Sequence, residues 1–257
     1  MSRMFMQLAG LGSALAVVCC VRAVSAANYF VDQVVHYGSC PGKDLWDDTY
    51  KLVSKMKAHN WTGSKLIDAD AWPHDFREHC SSTYGSSGVD AHYADKVDFA
   101  IFSGHGDGGR AFFGYPQLGV CTHDLGSNGR LGSMDGAEAS VAMWISCSTM
   151  DVSYLASDVN KQWLHQQLGF HDPVGNNTSR YASFFQDTCG AKPTSEAWLD
   201  RLEDEPAIVV SYGEDASDCW FVHDLNYLCL RAGLYPRHGG PSCGQGQPHF
   251  HYCGDYN

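Results

Sequence analysis

His105 and Cys147 are the two side chains whose setting points to chemistry. Each follows a short apolar run that stops at a small residue. The first block reads Val97-Asp98-Phe99-Ala100-Ile101-Phe102-Ser103-Gly104-His105-Gly106, and the second reads Val141-Ala142-Met143-Trp144-Ile145-Ser146-Cys147-Ser148-Thr149. A cysteine attacks as its thiolate, and a nearby imidazole favours that form. The runs have strand length and lack helical spacing, which is the pattern of strands buried on both faces of a parallel sheet. In open α/β sheets, chemistry gathers beyond the carboxyl ends of such strands. Two neighbouring strands ending in His and Cys would therefore set an imidazole beside a thiol. Each residue also has a plainer reading: an incidental His in a glycine-rich turn, and a buried structural thiol.

The two blocks resemble the caspase, legumain and gingipain group of cysteine peptidases. That group carries a hydrophobic run followed by His-Gly, and later a second run ending in Ala-Cys. His105-Gly106 and Ser146-Cys147 occupy those positions here, with Ser146 in place of Ala. The resemblance is firmest over residues 97–170. The pentad of caspases proper is absent, since the chain reads Ile145-Ser146-Cys147-Ser148-Thr149. The resemblance implies a caspase-like, doubly wound and mostly parallel α/β sheet with flanking helices. It also implies an endopeptidase in which Cys147 attacks the scissile carbonyl and His105 protonates the leaving amine. The backbone N–H groups of Gly106 and Cys147 would then form the oxyanion hole, an arrangement that stabilises the tetrahedral oxyanion strongly in acyl transfer.

Substrate preference is less legible. Asp151, four residues after Cys147, could receive a basic P1 side chain, or simply cap a helix that begins at Val152. Asp107 and Asp172 read as carboxylates near the rim of the site, or as solvated loop charges. His165 and His171 flank a short run at residues 168–170. His249, His251 and Cys253 could ligate zinc, although tail cysteines of an exported protein more commonly form disulfides. The dyad chemistry itself needs no metal and no cofactor.

The N-terminus reads as a secretory leader. Arg3 supplies the positive start, residues 8–21 form a 14-residue apolar stretch, and Val24-Ser25-Ala26 offers small residues for cleavage before Ala27. That stretch is short for a spanning helix, which needs roughly 20 apolar residues. Residues 27–257 then form one α/β domain, with a Cys/Gly/His-rich tail over 238–257. Of 11 cysteines, nine lie beyond the leader. An odd number in an oxidising compartment leaves one thiol unpaired, and Cys147 is the one the motif needs free. Proximity suggests local pairs Cys219–Cys229 and Cys243–Cys253. The formal charge of −12 becomes −14 once Arg3 and Arg22 are removed. Such an acidic chain has no electrostatic case for nucleic acid or anionic membrane. The resemblance implies a peptide or protein substrate, the leader implies an extracellular or periplasmic location, and a monomeric state is expected. Three sequons, beginning at Asn60, Asn176 and Asn177, become glycosylation sites if the source is eukaryotic.

The remaining pattern supplies the scaffold. Residues 29–37 read as a first strand. Asp44 is placed to cap a helix starting at Leu45, with Trp46, Tyr50 and Val53 on one face. Residues 60–95 look irregular, 110–113 read as a short hairpin strand, and 114–136, with seven Gly or Pro, read as a long loop. Helices are expected over 152–167, 177–188 and from Thr194 or Ser195 to Leu202, and a strong strand over 207–212. Alternating strands and helices argue for an α/β sheet. Two rival functions fit the same chain: a non-catalytic secreted binding protein on this scaffold, and a zinc-dependent hydrolase.

Overall fold

The computed structural model describes residues 27–77, 92–125, 131, 139–151, 153, 164–213, 228 and 251–257. The expected leader lies outside them. A seven-stranded sheet runs through the described residues. Its strands are β1 (Asn28–Gln33), β2 (Thr62–Ile67), β3 (Phe99–Ser103), β7 (Val141–Ile145), β8 (Gln166–Phe170), β9 (Ala207–Gly213) and β10 (His251–Tyr256). The spatial order is β10-β9-β8-β7-β3-β1-β2. Strands β2, β1, β3, β7 and β8 are mutually parallel, whereas β9 and β10 pair antiparallel. A second, three-stranded antiparallel sheet is built from β4 (His105–Asp107), β5 (Arg110–Gln117) and β6 (Val120–Asp124).

Every residue of β3, β7, β8 and β9 is buried. Their side chains alternate between two separate cores, as the pleat demands. Phe99, Ile101, Val141 and Met143 face a core shared with α1 (Tyr50–Ala58), α2 (Thr178–Cys189) and α3 (Thr194–Arg201). Ala100, Phe102, Ala142 and Trp144 face a core closed by Phe76, Ala111, Phe113 and Leu125. Burying each large apolar side chain contributes about 1.5–3 kcal/mol, which ties both layers to the sheet. Among the described residues the α-helices lie on one face. The other carries the small sheet and the 3-10 turns Asp68–Asp70, Pro73–Phe76 and Ala94–Lys96. Ser153 is helical, and most of the helix expected over 152–167 lies outside the described residues; its last two positions, Gln166 and Gln167, belong to β8.

Several local expectations are corrected. Helix α1 begins at Tyr50, not Leu45, because the Asp44 carboxylate is engaged elsewhere: it accepts from Tyr37 N at 3.1 Å and meets His36 Nδ1 at 3.0 Å. Trp46 and Tyr50 are consequently exposed, at 80% and 53%, while Leu52, Val53 and Met56 carry the inward face. The stretch 60–95 holds a parallel edge strand, β2, whose first three residues are exposed and therefore show no apolar run. The expected loop over 114–136 starts as a hairpin. Leu118 (φ 52°) and Gly119 (φ 79°) form its two-residue turn, and positive φ at both central positions matches the right-handed twist of the flanking strands. Residues 251–256, expected to be irregular tail, add β10 to the sheet edge.

Candidate active site

The sheet register brings the two motif segments together. β3 and β7 are adjacent and parallel, with Ser103 opposite Ile145. The chains stay paired one step further, where Gly104 N donates to Ile145 O at 3.1 Å. His105 then opens β4, opposite Phe112 of β5. Cys147 sits half-buried in the turn that follows β7.

The segments also meet at Gly106. A Cβ on Gly106 would collide with Thr149 Oγ1 and stand 2.8 Å from Cys147 O and 3.0 Å from Arg110 O. Only glycine lets the backbones meet so closely. The cysteine turn is clamped on several sides. Ser146 Oγ and Thr149 Oγ1 hydrogen-bond to each other, and Thr149 Oγ1 donates to Cys147 O at 3.3 Å. Ser148, at φ 48°, accepts from Gly109 N at 3.1 Å and donates its N–H to Asp172 O at 3.2 Å. Met150 N donates to Phe170 O at 3.0 Å.

The thiol accepts from Val174 N at 3.3 Å and lies 3.7 Å from Val174 O. Among the described cysteines Cys147 is the free one: Cys40 bonds to Cys121, and Cys189 is disulfide-bonded too. The pairs suggested for Cys219–Cys229 and Cys243–Cys253 lie outside the described residues, as do His249 and the side chains of His251 and Cys253. Among the described residues no group of three His, Cys, Asp or Glu side chains could hold a metal ion.

His105 is held by the segment that follows β1. Its N–H donates to Tyr37 Oη at 2.6 Å, and Tyr37 in turn donates to Phe112 O at 3.1 Å. The Tyr37 and His105 rings are 4.9 Å apart. Burial pushes the Tyr37 phenol up, so the hydroxyl stays protonated and able to donate. His105 Nε2 lies 2.8 Å from Lys43 O and 3.3 Å from Lys43 N. The shorter contact is to an acceptor, which places Nε2 to donate to Lys43 O. The segment bearing Tyr37 and Lys43 is fastened by Ser39 N and Cys40 N to Gly114 O, at 3.2 and 3.1 Å, and by the Cys40–Cys121 disulfide. No hydrogen bond joins the His105 ring to the Cys147 thiol; each has its own backbone partner.

Sequence patterning did not single out Tyr37, Lys43 or Val174, because their role is made by backbone atoms and a ring that meet His105 or Cys147 only in the fold. Asp151 Oδ1 accepts from Ser153 N at 2.8 Å and Ser153 Oγ at 2.7 Å, and these bonds hold its carboxyl below the usual range. That is the geometry of a cap. Asp107 is exposed on β4, and Asp172 reaches the cysteine turn through its carbonyl. His171 Nε2 meets Asn257 O at 3.1 Å.

Fold and site together define a mixed α/β protein whose sheet carries a His-Gly and a Ser-Cys segment in contact at its carboxyl edge. The chain belongs to the family described as "Domain of unknown function (DUF6345)", whose model matches residues 47–218 and so includes both segments. No curated protein matches the chain. Among solved structures, it is similar to a secreted C11 cysteine protease from Bacteroides thetaiotaomicron, determined in complex with an irreversible peptide inhibitor. The identity is 9% and the TM-score 0.40, over 72% of this chain and 66% of that one. Among the described residues, no helix is long and apolar enough to cross a membrane.

Proposed function

We propose that the protein is an exported, monomeric cysteine endopeptidase of caspase-like, doubly wound fold, with Cys147 as nucleophile and His105 as its acid–base partner. The observation that carries this reading is the meeting of the two motif segments at the ends of adjacent parallel strands, with the free thiol on one of them. Lys43 O holds the Nε2 proton of His105, which leaves Nδ1 as the atom that serves the thiol. The Cys147 thiolate adds to the scissile carbonyl carbon. Gly106 N–H and Cys147 N–H receive the oxyanion. The C–N bond breaks as the amine takes a proton from His105, and water then hydrolyses the thioester and restores the thiol. The Cys40–Cys121 disulfide suits an oxidising compartment.

The test is direct. Cys147→Ala should abolish both peptide-library cleavage and labelling by an acyloxymethyl-ketone probe without loss of fold, and His105→Ala should cost at least about a hundredfold. Cleavage that survives Cys147→Ala would remove the nucleophile. A non-catalytic binding protein is the second reading, favoured by the separate backbone partners of His105 and Cys147. It prevails if the wild-type chain, after proteolytic activation has been tried, is inert in both assays.

A further inference from the structure

The segment that joins β1 to α1 is fixed at its base and thinly held at its tip. At the base, Val35 N and His36 N donate to Asp68 Oδ1 at 2.6 and 2.8 Å, and Leu45 N donates to Val35 O at 2.8 Å. From Gly38 to Lys43 the chain forms no helix or strand, and Cys40 is its one buried residue. Cys40 stands midway between Tyr37 and Lys43, the two residues that hold His105.

The Cys40–Cys121 disulfide closes a ring of contacts around the imidazole. Cys121 lies on β6, whose Thr122 pairs with Phe112 of β5, and Phe112 pairs with His105 of β4. Across the S–S bond, Cys40 belongs to the segment whose Tyr37 Oη and Lys43 O receive the His105 N–H and Nε2. Without that bond the tip keeps two backbone hydrogen bonds, from Ser39 N and Cys40 N, both to the one carbonyl of Gly114. Gly42 passes against the Tyr37 ring and offers it no side chain. The hydrogen bonds are individually modest, whereas a cross-link over 81 positions is the larger constraint. Tyr37 is buried and keeps its place; Lys43 is exposed, so its hold on Nε2 depends on the tip.

We infer that the Cys40–Cys121 disulfide is a redox switch that sets the His105 imidazole through Lys43 O and turns activity on in an oxidising compartment. The inference rests on the peptidase reading of His105 and Cys147. Cys121 is half-buried and Cys40 buried, which makes Cys121 the sulfur open to attack. A dithiol reductant bonds to the Cys121 sulfur, the S–S bond breaks, and Cys40 leaves as a thiolate that takes up a proton. The second thiol of the reductant then displaces Cys121 and closes the reductant's own disulfide, so two electrons and two protons pass to the protein. A protein disulfide donor runs the exchange in reverse. The chain is latent while reduced. Reduction ordinarily favours a cysteine nucleophile by undoing its oxidation, so the switch carries the opposite sign.

Peptide cleavage by the oxidised protein, by protein reduced with dithiothreitol and by Cys40→Ser/Cys121→Ser, each with and without His105→Ala, decides it. The paired serines isolate this bond, since Cys189 is disulfide-bonded as well. Opening the bond should lower kcat at least about tenfold in chains that carry His105, within the roughly hundredfold that acid–base help supplies. It should leave the residual rate of His105→Ala unchanged, because both changes act on one imidazole. A brief pulse of deuterium exchange, which needs no activity, should find residues 39–43 opened while β7 and β9 stay protected. Activity that is equal or higher with the bond open overturns the inference and leaves the peptidase reading standing. An equal loss of rate in His105→Ala overturns it too, as does a tip that stays protected. Protection lost across β7 and β9 also overturns it, by making the bond a staple of the whole fold. An inert oxidised chain whose residues 39–43 still open on reduction removes the peptidase reading and, with it, the switch of activity.

Discussion

Replacing Asp32 by Asn should stabilise this protein at neutral and alkaline pH and leave it nearly unchanged in acid. Asp32 lies on β1 and Asp75 in the 3-10 turn Pro73–Phe76, and both are fully buried. Asp75 Oδ2 accepts from Trp72 N at 2.9 Å. The two carboxyl groups are coupled in the buried interior, where two neighbouring negative charges cannot both be held, so the pair keeps a proton. Burial, joined by the charge of Asp75, holds Asp32 well above the carboxylate range, and burial raises Asp75 to about 6. The pair titrates as a unit. A folded pKa of about 6 against about 3.9 when unfolded is a difference of about 2 units, on the order of 3 kcal/mol. Because the folded value is the raised one, this stability is fully present below about pH 4 and is lost as pH rises through 6. His74, pushed down by burial and by Arg77, gains stability as pH rises and so works against that loss, but it does so in both proteins and cancels from the wild-type-to-variant difference. The amide introduced by Asp32→Asn would donate to Asp75 without a titrating proton. Asp75 keeps its own burial in the variant, so the gain at pH 8 should be the part of that amount due to the Asp32 charge, a rise of a few °C in Tm, at about 2–4 °C per kcal/mol for a domain of this size. Urea unfolding of both proteins at pH 4, 6 and 8, at matched ionic strength, measures it. A wild-type-to-variant difference that does not grow between pH 4 and pH 8 would refute the shared proton.

Three further outcomes are expected. Tyr37→Phe should leave the His105 N–H and Phe112 O without their partner, costing about 1–3 kcal/mol and slowing the His105-dependent step more than it changes KM; unchanged kcat would show that the ring contact alone positions the imidazole. Gly106→Ala should force the His105 and Cys147 segments apart, read as a lower unfolding midpoint together with an altered rate of Cys147 alkylation by iodoacetamide; a silent substitution would contradict the close approach at Thr149 Oγ1. Reducing Cys40–Cys121, which closes 81 positions of chain, should cost about 4–5 kcal/mol, and non-reducing mass mapping of the native protein should find that bond intact and Cys147 alkylatable; Cys147 in a native disulfide would remove the nucleophile.

The central strands and the segments that leave their carboxyl ends were readable from residue order because burial writes itself into local pattern. Residues 99–103 and 141–145 are apolar on both faces since a central parallel strand packs on both, and the His and Cys that follow them stand out against that background. The helices α2 and α3 and the strand β9 were legible for the same reason: Tyr181, Phe184 and Phe185 share a helical face, as do Trp198 and Leu202, and 207–212 is an unbroken buried run. Parity of the cysteines marked one thiol as unpaired.

Edges and partners were not legible. β2 is a polar edge strand and β10 lies in a Gly- and His-rich tail, so neither carries a run of apolar residues; backbone pairing with β1 and β9 makes them strands. Asp44 has the chemistry of a cap and spends it on Tyr37 and His36, which defers α1 to Tyr50. Tyr37 and Lys43 reach His105 across 68 and 62 positions. Periodicity reports which face of an element is buried. Which distant polar atom a side chain meets is decided by how the crossovers stack the elements, and the holding of His105 and the coupling of Asp32 with Asp75 both belong to that second kind.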